Sequence, residues 1–405
     1  MTSTPRQRST AQLALILGAL TAFGPLSIDM YLPGLPAIAA DLGADAAAIQ
    51  LTLSAFFIGM AAGQTLYGPL SDRIGRRAPL IVGCVFYTLA TIACALAPTA
   101  ESLVVLRFAQ ALGGCAGMVI ARSVVRDLFD ARESARMYSI LMLVMGLAPI
   151  TAPLIGGQLL TIFDWRAIFW ILAVYGAMCV VLVAWLLPET LPAEHRSRAG
   201  VREVAGVYGR LLLDRHFLGY ALAGGLAFAG MFAYISGSPF VLIELYGVSP
   251  QHYGWIFGLN ALGLISASQV NRRLLLQYRS EVILSVALLL VAGAALVLVA
   301  AAASGFGGLI GLLIPLFVCI SSVGLVGPNT AAVAMAPHGR AAGSASALLG
   351  TLQFVVGAIA GVLVGVTHNG TALPMAAVIA GCSIAALIAF QGLALRAAPA
   401  VLQEA

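Results

Sequence analysis

An acidic residue stands inside the first long apolar run of the chain. Asp29 lies in the segment Ser27-Ile-Asp-Met-Tyr-Leu-Pro-Gly-Leu-Pro36, towards the end of the run 11–33. If that run spans a bilayer, a carboxylate there costs about 2.5–3.5 kcal/mol, and such residues usually face a cavity and have a role. Desolvation would let Asp29 bind and release a proton near neutral pH. The alternative is an interfacial residue that caps the helix end, since Pro33 is four residues away.

Arg107 is the expected partner of Asp29. It lies five residues into a later apolar run, 102–126, which starts from the face where the first run ends. At a rise of 1.5 Å per residue, the two side chains would lie about 6–8 Å below that face. The alternative is that Arg107 extends its guanidinium group to the membrane surface.

A short polar loop carries the densest charge pattern of the chain. The segment Gly68-Pro-Leu-Ser-Asp-Arg-Ile-Gly-Arg-Arg77 places one carboxylate among three arginines. Its glycines permit turns and close backbone approach, and its charges can form ion pairs that break and re-form. The alternative is a solvated loop that only sets the orientation of the chain in a membrane.

A third pattern combines prolines and glycines within the apolar run 135–160. The segment reads Gly146-Leu-Ala-Pro149-Ile-Thr-Ala-Pro153-Leu-Ile-Gly156-Gly157. Paired prolines kink a membrane helix, and glycines let neighbouring helices approach closely. The alternative is ordinary packing between membrane helices.

Scattered polar, aromatic and methionine side chains are candidates for contact with a small molecule, although each is also a plausible packing residue. These candidates are Tyr31, Gln110, Met142, Phe232, Asn260 and Gln353. Glu244 ends its run at the membrane surface and is more simply an interfacial residue than a second proton site. Six cysteines fall inside apolar runs without metal-type spacing, so we expect no metal and no cofactor.

A membrane must position these residues, because the composition excludes a soluble domain. Of 405 residues, 61% are hydrophobic and only 9% are charged, and the mean hydropathy is +1.00. Soluble proteins carry about 25% charged residues. Twelve apolar runs are each long enough to span a bilayer. They are residues 11–33, 46–70, 78–98, 102–126, 135–160, 165–187, 217–243, 250–271, 281–302, 305–330, 340–366 and 371–395.

The arginines predict the orientation of these runs. With the N-terminus in the cytoplasm, 19 of the 21 arginines fall in cytoplasmic segments, and only Arg107 and Arg166 fall elsewhere. This bias follows the positive-inside rule and favours an even number of spans with both termini cytoplasmic. It also explains the pI near 9.0, so we expect no nucleic-acid partner.

One long polar stretch, residues 188–216, divides the chain into 1–187 and 217–405. Each part has six apolar runs, which predicts an all-α membrane protein built from two six-helix bundles. Within the stretch, charged and apolar residues alternate at helical spacing from Val201 to Leu213. We expect an amphipathic helix there, on the inner membrane surface.

The polar loop resembles the loop motif of the major facilitator superfamily at every defined position. Together with the segments around Asp29, Arg107, Trp165 and Ser238, and with the proline–glycine segment, it is similar to the Bcr/CflA group of drug-resistance transporters. The proline–glycine segment departs from the usual antiporter motif at Ala148 and Ala152, where glycine is common.

The resemblance implies roles for the residues that carry it. Asp29 and Arg107 would couple transport to protons. The loop would be a cytoplasmic gate, with Arg122 and Arg126 as candidate partners. The implied gate residues are Gly68, Asp72, Arg73, Gly75, Arg76, Arg77, Arg122 and Arg126, and the implied antiporter-helix residues are Gly146, Pro149, Pro153, Gly156 and Gly157.

The expected function is proton-coupled export of drugs or other small amphipathic molecules across the inner membrane of a bacterium, by a monomer that contacts membrane lipid. The alternatives within carriers are export of a metabolite such as an amino acid, and proton-linked import. No Walker, HExxH or GxSxG motif is present, so direct use of ATP and membrane-embedded hydrolysis are disfavoured. A channel or receptor is a further, weaker alternative.

Overall fold

The computed structural model describes residues 10–196 and 201–395, and these ranges contain helices and turns but no strand. Both chain ends lie outside the described residues, and so do Arg6, Arg8, Arg198 and Arg396, which contributed to the arginine count. The predicted cytoplasmic location of the termini therefore stays a prediction.

The helices follow one another with short turns between them. They are α1 (Thr10–Thr21), α2 (Phe23–Asp29), α3 (Leu35–Asp41), α4 (Ala46–Ile74), α5 (Arg77–Ala95), α6 (Ala100–Leu128), α7 (Ala131–Leu159), α8 (Arg166–Leu186), α9 (Val201–Leu213), α10 (Arg215–Pro239), α11 (Pro250–Leu274), α12 (Ser280–Ser304), α13 (Gly308–Met335), α14 (Ala342–Val366) and α15 (Leu373–Ala389). Single turns of 3-10 or π helix lie at Leu32–Gly34, Ala193–His195, Phe240–Leu245, Ala336–Ala341 and Phe390–Ala394.

Among the described residues, ten helices are long and apolar enough to cross a membrane, and an eleventh span results if α1 and the bent segment after it count as one. Helix α11 has 25 residues, a spanning length, but it does not meet the same test of apolarity. Polar residues such as Asn260, Asn271 and Arg272 lower its hydropathy. The prediction of twelve spans is therefore supported only in part.

The first apolar run differs most from its prediction. Its boundary was predicted at residue 33, but helical structure continues to Asp41, with a 42° bend between Thr10–Thr21 and Phe23–Asp41. Pro25 lies in the first turn of α2 and Pro33 in the turn that follows it, where the missing N–H groups are tolerated. Asp29 consequently lies between two breaks in the helix rather than at its outer end.

The two parts of the chain, residues 10–186 (the first half) and 215–395 (the second half), meet along two helix pairs. Helix α4 packs along α14, and α7 packs along α11. Inside the first half, Gly59 and Gly63 of α4 leave room for the Phe108 backbone and Cys115 of α6. Close packing through glycine is what membrane helices use where no hydrophobic driving force exists between them.

Candidate functional site

The two halves are in contact over one end of the molecule. We call the side that carries residues 68–77 the loop face, and the other side the opposite face. On α7, Gly157 lies against the Pro250 carbonyl oxygen, and Gly146 lies against Ile265 of α11. One turn further towards the loop face, Met142 is 64% exposed. The seam between α7 and α11 therefore opens between residues 146 and 142.

The seam between α4 and α14 is in contact over a greater length. Near the opposite face, Gly361 lies against Ser54 and Gly365 lies against Gln50. Further along, Thr65 and Thr351 share a hydrogen bond of 3.1 Å across the halves. At Gly68, no atom lies within 4 Å of the position that a Cβ would take. The structure is thus closed on the opposite face, and near the loop face a Cβ at Gly343 of α14 would lie 4.0 Å from the Arg126 guanidinium.

The closed part of this seam contains buried polar atoms that lack hydrogen-bond partners among the described residues. They are both side-chain polar atoms of Gln50 and the hydroxyl oxygens of Ser54 and Ser236. All three residues are almost completely buried. A buried polar atom without a partner costs about 1–3 kcal/mol.

Asp29 lies near this closed end and is only 5% exposed. Within residues 10–196 and 201–395, its carboxylate has no hydrogen bond or ion pair, and no side chain caps α2, α3 or the turn between them. The residue is therefore not a helix cap. The turn Leu32–Gly34, which follows Asp29, packs against α10 and α11 of the second half.

The expected pair between Asp29 and Arg107 is not formed in the described structure. Arg107 is completely buried, and its terminal nitrogens donate to the Gln110 side-chain oxygen at 2.6 Å and the Ser27 carbonyl oxygen at 3.0 Å. The guanidinium carbon lies 4.4 Å from the ring centres of both Tyr31 and Phe56. These first-half groups hold the cation over aromatic faces, while the buried Nε of Arg107 has no hydrogen-bond partner among the described residues. Arg107 is also too deeply buried to extend to the surface.

Four polar side chains of the second half form a hydrogen-bonded cluster on α10 and α11. Asn260 donates to the Tyr234 hydroxyl at 3.0 Å, and the hydroxyls of Ser238 and Tyr253 share a hydrogen bond of 2.9 Å. All four are buried. We call Tyr234, Ser238, Tyr253 and Asn260 the hydroxyl cluster.

The loop motif forms a charge network, but with partners other than those expected. Arg76 is 2% exposed and pairs with Asp72 of its own loop and with Asp127, at 2.8 Å. Neither Arg122 nor Arg126, both exposed, forms an ion pair with Asp72 among the described residues. The expectation that these two arginines pair with the loop is therefore corrected. Asp127, one residue beyond Arg126, fills that place because it lies on the buried side of α6.

The loop also binds the segment that follows α8. Glu189 accepts hydrogen bonds from the backbone N–H groups of Arg76 at 2.8 Å and Arg77 at 3.2 Å, and so caps the start of α5. Gly75 has φ +102° and lies against the Glu189 carboxylate, where only glycine fits without strain. Partial burial raises the pKa of Glu189, but the N–H donors of Arg76, Leu191, Arg77 and Thr190 outweigh it and hold the pKa below its usual value.

Glu189→Gln is expected to destabilise the protein by about 1 kcal/mol, the usual value of a helix cap. Because the folded-state pKa is lowered, the contribution of Glu189 is complete above the unfolded-state pKa and is lost as the pH falls through the folded value. Melting of the detergent-solubilised protein between pH 7 and pH 3 measures this effect. The melting temperatures of wild type and Glu189→Gln should converge at the acidic end. The exposed Glu194→Gln is the control, and a gap that stays constant with pH would contradict the assignment.

The proline–glycine segment of α7 lies on the seam between the halves. Gly157 and Gly146 face α11, as described above, whereas Gly156 lies against the Met30 backbone of its own half. Pro149 and Pro153 lie inside α7. The segment thus joins both the second half and the stretch that carries Asp29.

The candidate substrate contacts are dispersed. Met142 is exposed where the seam opens, and Gln353 of α14 is half-buried. Phe232 packs between Phe57 of the first half, with ring centres 4.4 Å apart, and Phe354, at 5.6 Å. Tyr31 and Gln110 surround Arg107, and Asn260 belongs to the hydroxyl cluster. Glu244 is exposed and lies in the π-helical turn Phe240–Leu245 after α10.

Sequence reasoning missed Tyr253, Asp127 and Glu189 as parts of these sites. A usable signal existed for Tyr253, since Tyr253 and Asn260 are seven residues apart and therefore lie on one face of α11. No local pattern identifies Glu189, because its contacts depend on how the end of α8 meets the loop.

Comparison with known proteins agrees with this geometry. The family model of the Major Facilitator Superfamily matches residues 17–362. The chain is 40% identical to the Uncharacterized MFS-type transporter YdgK of Bacillus subtilis (strain 168), over 97% of this chain and 98% of the relative. It is 33% identical to a Bicyclomycin resistance protein homolog of Haemophilus influenzae, over 95% of this chain and 96% of the relative.

Further relatives and solved structures extend the comparison. The Multidrug resistance protein MdtL of Escherichia coli O81 is 31% identical over 91% of this chain and 92% of the relative. A solved D-xylose-proton symporter has a TM-score of 0.73 at 15% identity, over 94% of this chain and 96% of the other, and shows likeness of fold alone. The predicted resemblance is confirmed: the chain belongs to the Major Facilitator Superfamily of membrane transporters.

Proposed function

We propose that the chain is a proton-coupled antiporter that exports drugs or other small amphipathic molecules by alternating access. The observation that carries the proposal is the position of Asp29, a buried carboxylate of the first half that lies just before the turn Leu32–Gly34, which packs against α10 and α11 of the second half. A titratable group at such a place changes its access to water whenever the halves rock. The names of the relatives, which refer to bicyclomycin and multidrug resistance, support drug molecules as substrates.

In the proposed cycle, proton and substrate compete through Asp29. When the molecule is open to the loop face, which we take as cytoplasmic, Asp29 releases its proton and substrate enters beside Met142 and Phe232. When it opens to the opposite face, protonation of Asp29 releases the substrate. The network of Asp72, Arg76 and Asp127 holds the loop-face ends of α4, α5 and α6 together and would act as the gate.

The energetics of this cycle are sufficient for export. One charge that crosses about 100 mV provides about 2.3 kcal/mol. This free energy supports a gradient of roughly 50-fold for a neutral substrate. We place the protein in the inner membrane of a bacterium as a monomer, with two six-helix bundles, residues 1–187 and 217–405. The linker 188–216, which includes α9, would lie on the cytoplasmic surface.

Expression in a host without its own drug pumps tests the proposal. We expect raised inhibitory concentrations for some members of a panel of amphipathic drugs and bicyclomycin. In everted membrane vesicles, uptake of the same compounds should require an inward-acidic pH gradient and stop when an ionophore collapses it. Uptake that does not depend on the pH gradient would contradict proton coupling. Transport of amino acids without any transport of drugs would favour the metabolite exporter instead.

A further inference from the structure

The side chains of Gln50, Ser54 and Ser236 have hydrogen-bonding capacity that the closed seam does not use. A buried serine or threonine in a helix can bond the carbonyl oxygen of the preceding turn. Thr91 and Ser383 do so, at 2.6 and 2.7 Å. The hydroxyls of Ser54 and Ser236 make no such bond, and both polar atoms of the Gln50 amide also lack a partner among the described residues. Ser54 is 3% exposed and the other two are completely buried, so bulk water does not satisfy them.

These unused groups converge on one stripe of α14. A Cβ at Gly361 would lie 2.7 Å from the Ser54 hydroxyl oxygen and 3.7 Å from that of Ser236. One turn closer to the opposite face, a Cβ at Gly365 would lie 3.2 Å from the Gln50 side-chain oxygen. Gln50 and Ser54 belong to the first half, whereas Ser236 and both glycines belong to the second half. We call Gln50, Ser54 and Ser236 the polar layer, because they meet across the seam at one level.

Three aromatic rings lie next to the polar layer on the side of the loop face. Phe57 of α4 follows Ser54 by three residues, and Phe232 of α10 precedes Ser236 by four, so each lies one helical turn closer to the loop face. Their ring centres are 4.4 Å apart, and Phe354 of α14 stacks on Phe232 at 5.6 Å. The polar layer is therefore the part of this seam that becomes accessible when the halves separate on the opposite face.

The helices that carry the polar layer have no charged side chain near it. Residues 46–70 of α4, 217–239 of α10 and 342–366 of α14 contain no acidic or basic residue. An ionic group placed between these helices would lose its hydration without gaining a counter-ion. A hydroxyl, amide or carbonyl group, in contrast, can exchange hydrogen bonds with the amide and the two hydroxyls. The polar layer thus suits an uncharged hydrogen-bonding group.

We propose that Gln50, Ser54 and Ser236 form a subsite on the release path, which binds an uncharged hydrogen-bonding group of the exported molecule when the opposite face opens. The inference rests on the proposed function, since it takes that face as the side of release. Opening separates α4 from α10 and α14, so the first-half groups and the Ser236 hydroxyl become two walls of one slot. A site built to bind a hydroxyl group discriminates against an analogue that lacks it. The polar layer would therefore select among uncharged drugs.

Two uncharged drugs that differ in one group test this subsite. Florfenicol is thiamphenicol with its primary hydroxyl group replaced by fluorine, which is a poor hydrogen-bond partner. In everted vesicles of wild type, kcat/KM for uptake should be about 10-fold higher for thiamphenicol, equivalent to about 1.4 kcal/mol. Ser54→Ala with Ser236→Ala should lower this ratio towards 1, and Gln50→Leu should lower it in part. These variants should fold, because they break no hydrogen bond of the described structure.

Ser383→Ala is the matched control, since this buried serine of α15 already bonds a carbonyl oxygen of its own helix. Its ratio should equal that of wild type. If the double variant changes uptake of both drugs by the same factor, or of neither, the ratio stays constant and the inference is overturned. The inference also fails, while the proposed function stands, if wild type takes up other drugs of the panel but neither of these two. The proposed function itself fails if wild-type vesicles show no pH-dependent uptake of any drug.

Discussion

Asp29→Asn should fold and insert normally, yet lose drug accumulation driven by a pH gradient. The amide has nearly the same shape, and the carboxylate makes no hydrogen bond or ion pair among the described residues that the change would break. It cannot exchange a proton, however, so the coupling step disappears. Accumulation in everted vesicles should fall from the roughly 50-fold that a proton gradient worth about 100 mV supports towards a ratio of 1. Exchange of labelled for unlabelled drug should also weaken, because the amide resembles the protonated carboxyl that releases substrate in the proposed cycle.

Glu244→Gln is the matched control for this experiment. Glu244 is an exposed acidic residue of the second half near the opposite face, and its amide variant should accumulate drug like wild type. Asp29→Glu should retain part of the accumulation, because a carboxylate remains. Full accumulation by Asp29→Asn would refute the proton role of this residue. Loss in Glu244→Gln, with activity in Asp29→Asn, would move the role to Glu244.

Gly157→Val is expected to abolish transport by preventing closure of the opposite face. A side chain at Gly157 would meet the Pro250 carbonyl oxygen, and because that atom is backbone it cannot turn aside. Each half would still fold, since the contact lies between the halves. A cysteine at Gln50, fully buried in the closed seam, should then react faster with a membrane-impermeant thiol reagent. We expect about a 10-fold rise in labelling, equivalent to about 1.4 kcal/mol towards the open state.

Variants at two other glycines distinguish an effect on closure of the opposite face from an effect on folding. Gly156 is the neighbour of Gly157 but lies against the Met30 backbone of the same half, so Gly156→Val should lower the melting temperature and the yield. Gly293 of α12 has no neighbour within 4 Å of a Cβ, and Gly293→Ala should behave like wild type. The labelling is done in a background without the six native cysteines. Wild-type labelling in Gly157→Val would mean that the seam between α7 and α11 does not control this face.

Hydropathy predicted most of the helices, because each membrane-spanning helix must satisfy its backbone hydrogen bonds internally and expose apolar side chains. Apart from the first run, the predicted runs coincide with helices to within about five residues. The predicted first run, 11–33, is too short by eight residues, since it ends at Pro33 whereas helical structure continues to Asp41. In the structure, Pro33 lies in a 3-10 turn and Pro36 at the start of α3, where proline fits.

Side-chain partners were harder to predict than positions. Equal depth in the membrane suggested that Asp29 and Arg107 meet, but depth leaves the rotation of each helix undetermined. In the structure, Arg107 lies against the rings of Tyr31 and Phe56, whereas the Asp29 carboxylate has no ion pair among the described residues. The partner of Arg76 was missed for the same reason, since Asp127 and Arg126 are adjacent in sequence but lie on different faces of α6. Contacts between the halves depend on tertiary packing that no local pattern contains.

The unpartnered atoms of Gln50, Ser54 and Ser236 affect the relative free energies of the closed and open states of this seam. A permanently dry contact between two membrane bundles would favour alanine or leucine at these places. Amide and hydroxyl groups are instead suited to a surface that water covers periodically. Their hydration offsets part of the free energy lost when the contact breaks. The two access states therefore stay close in free energy, and binding or release of a single proton is enough to change which state is favoured.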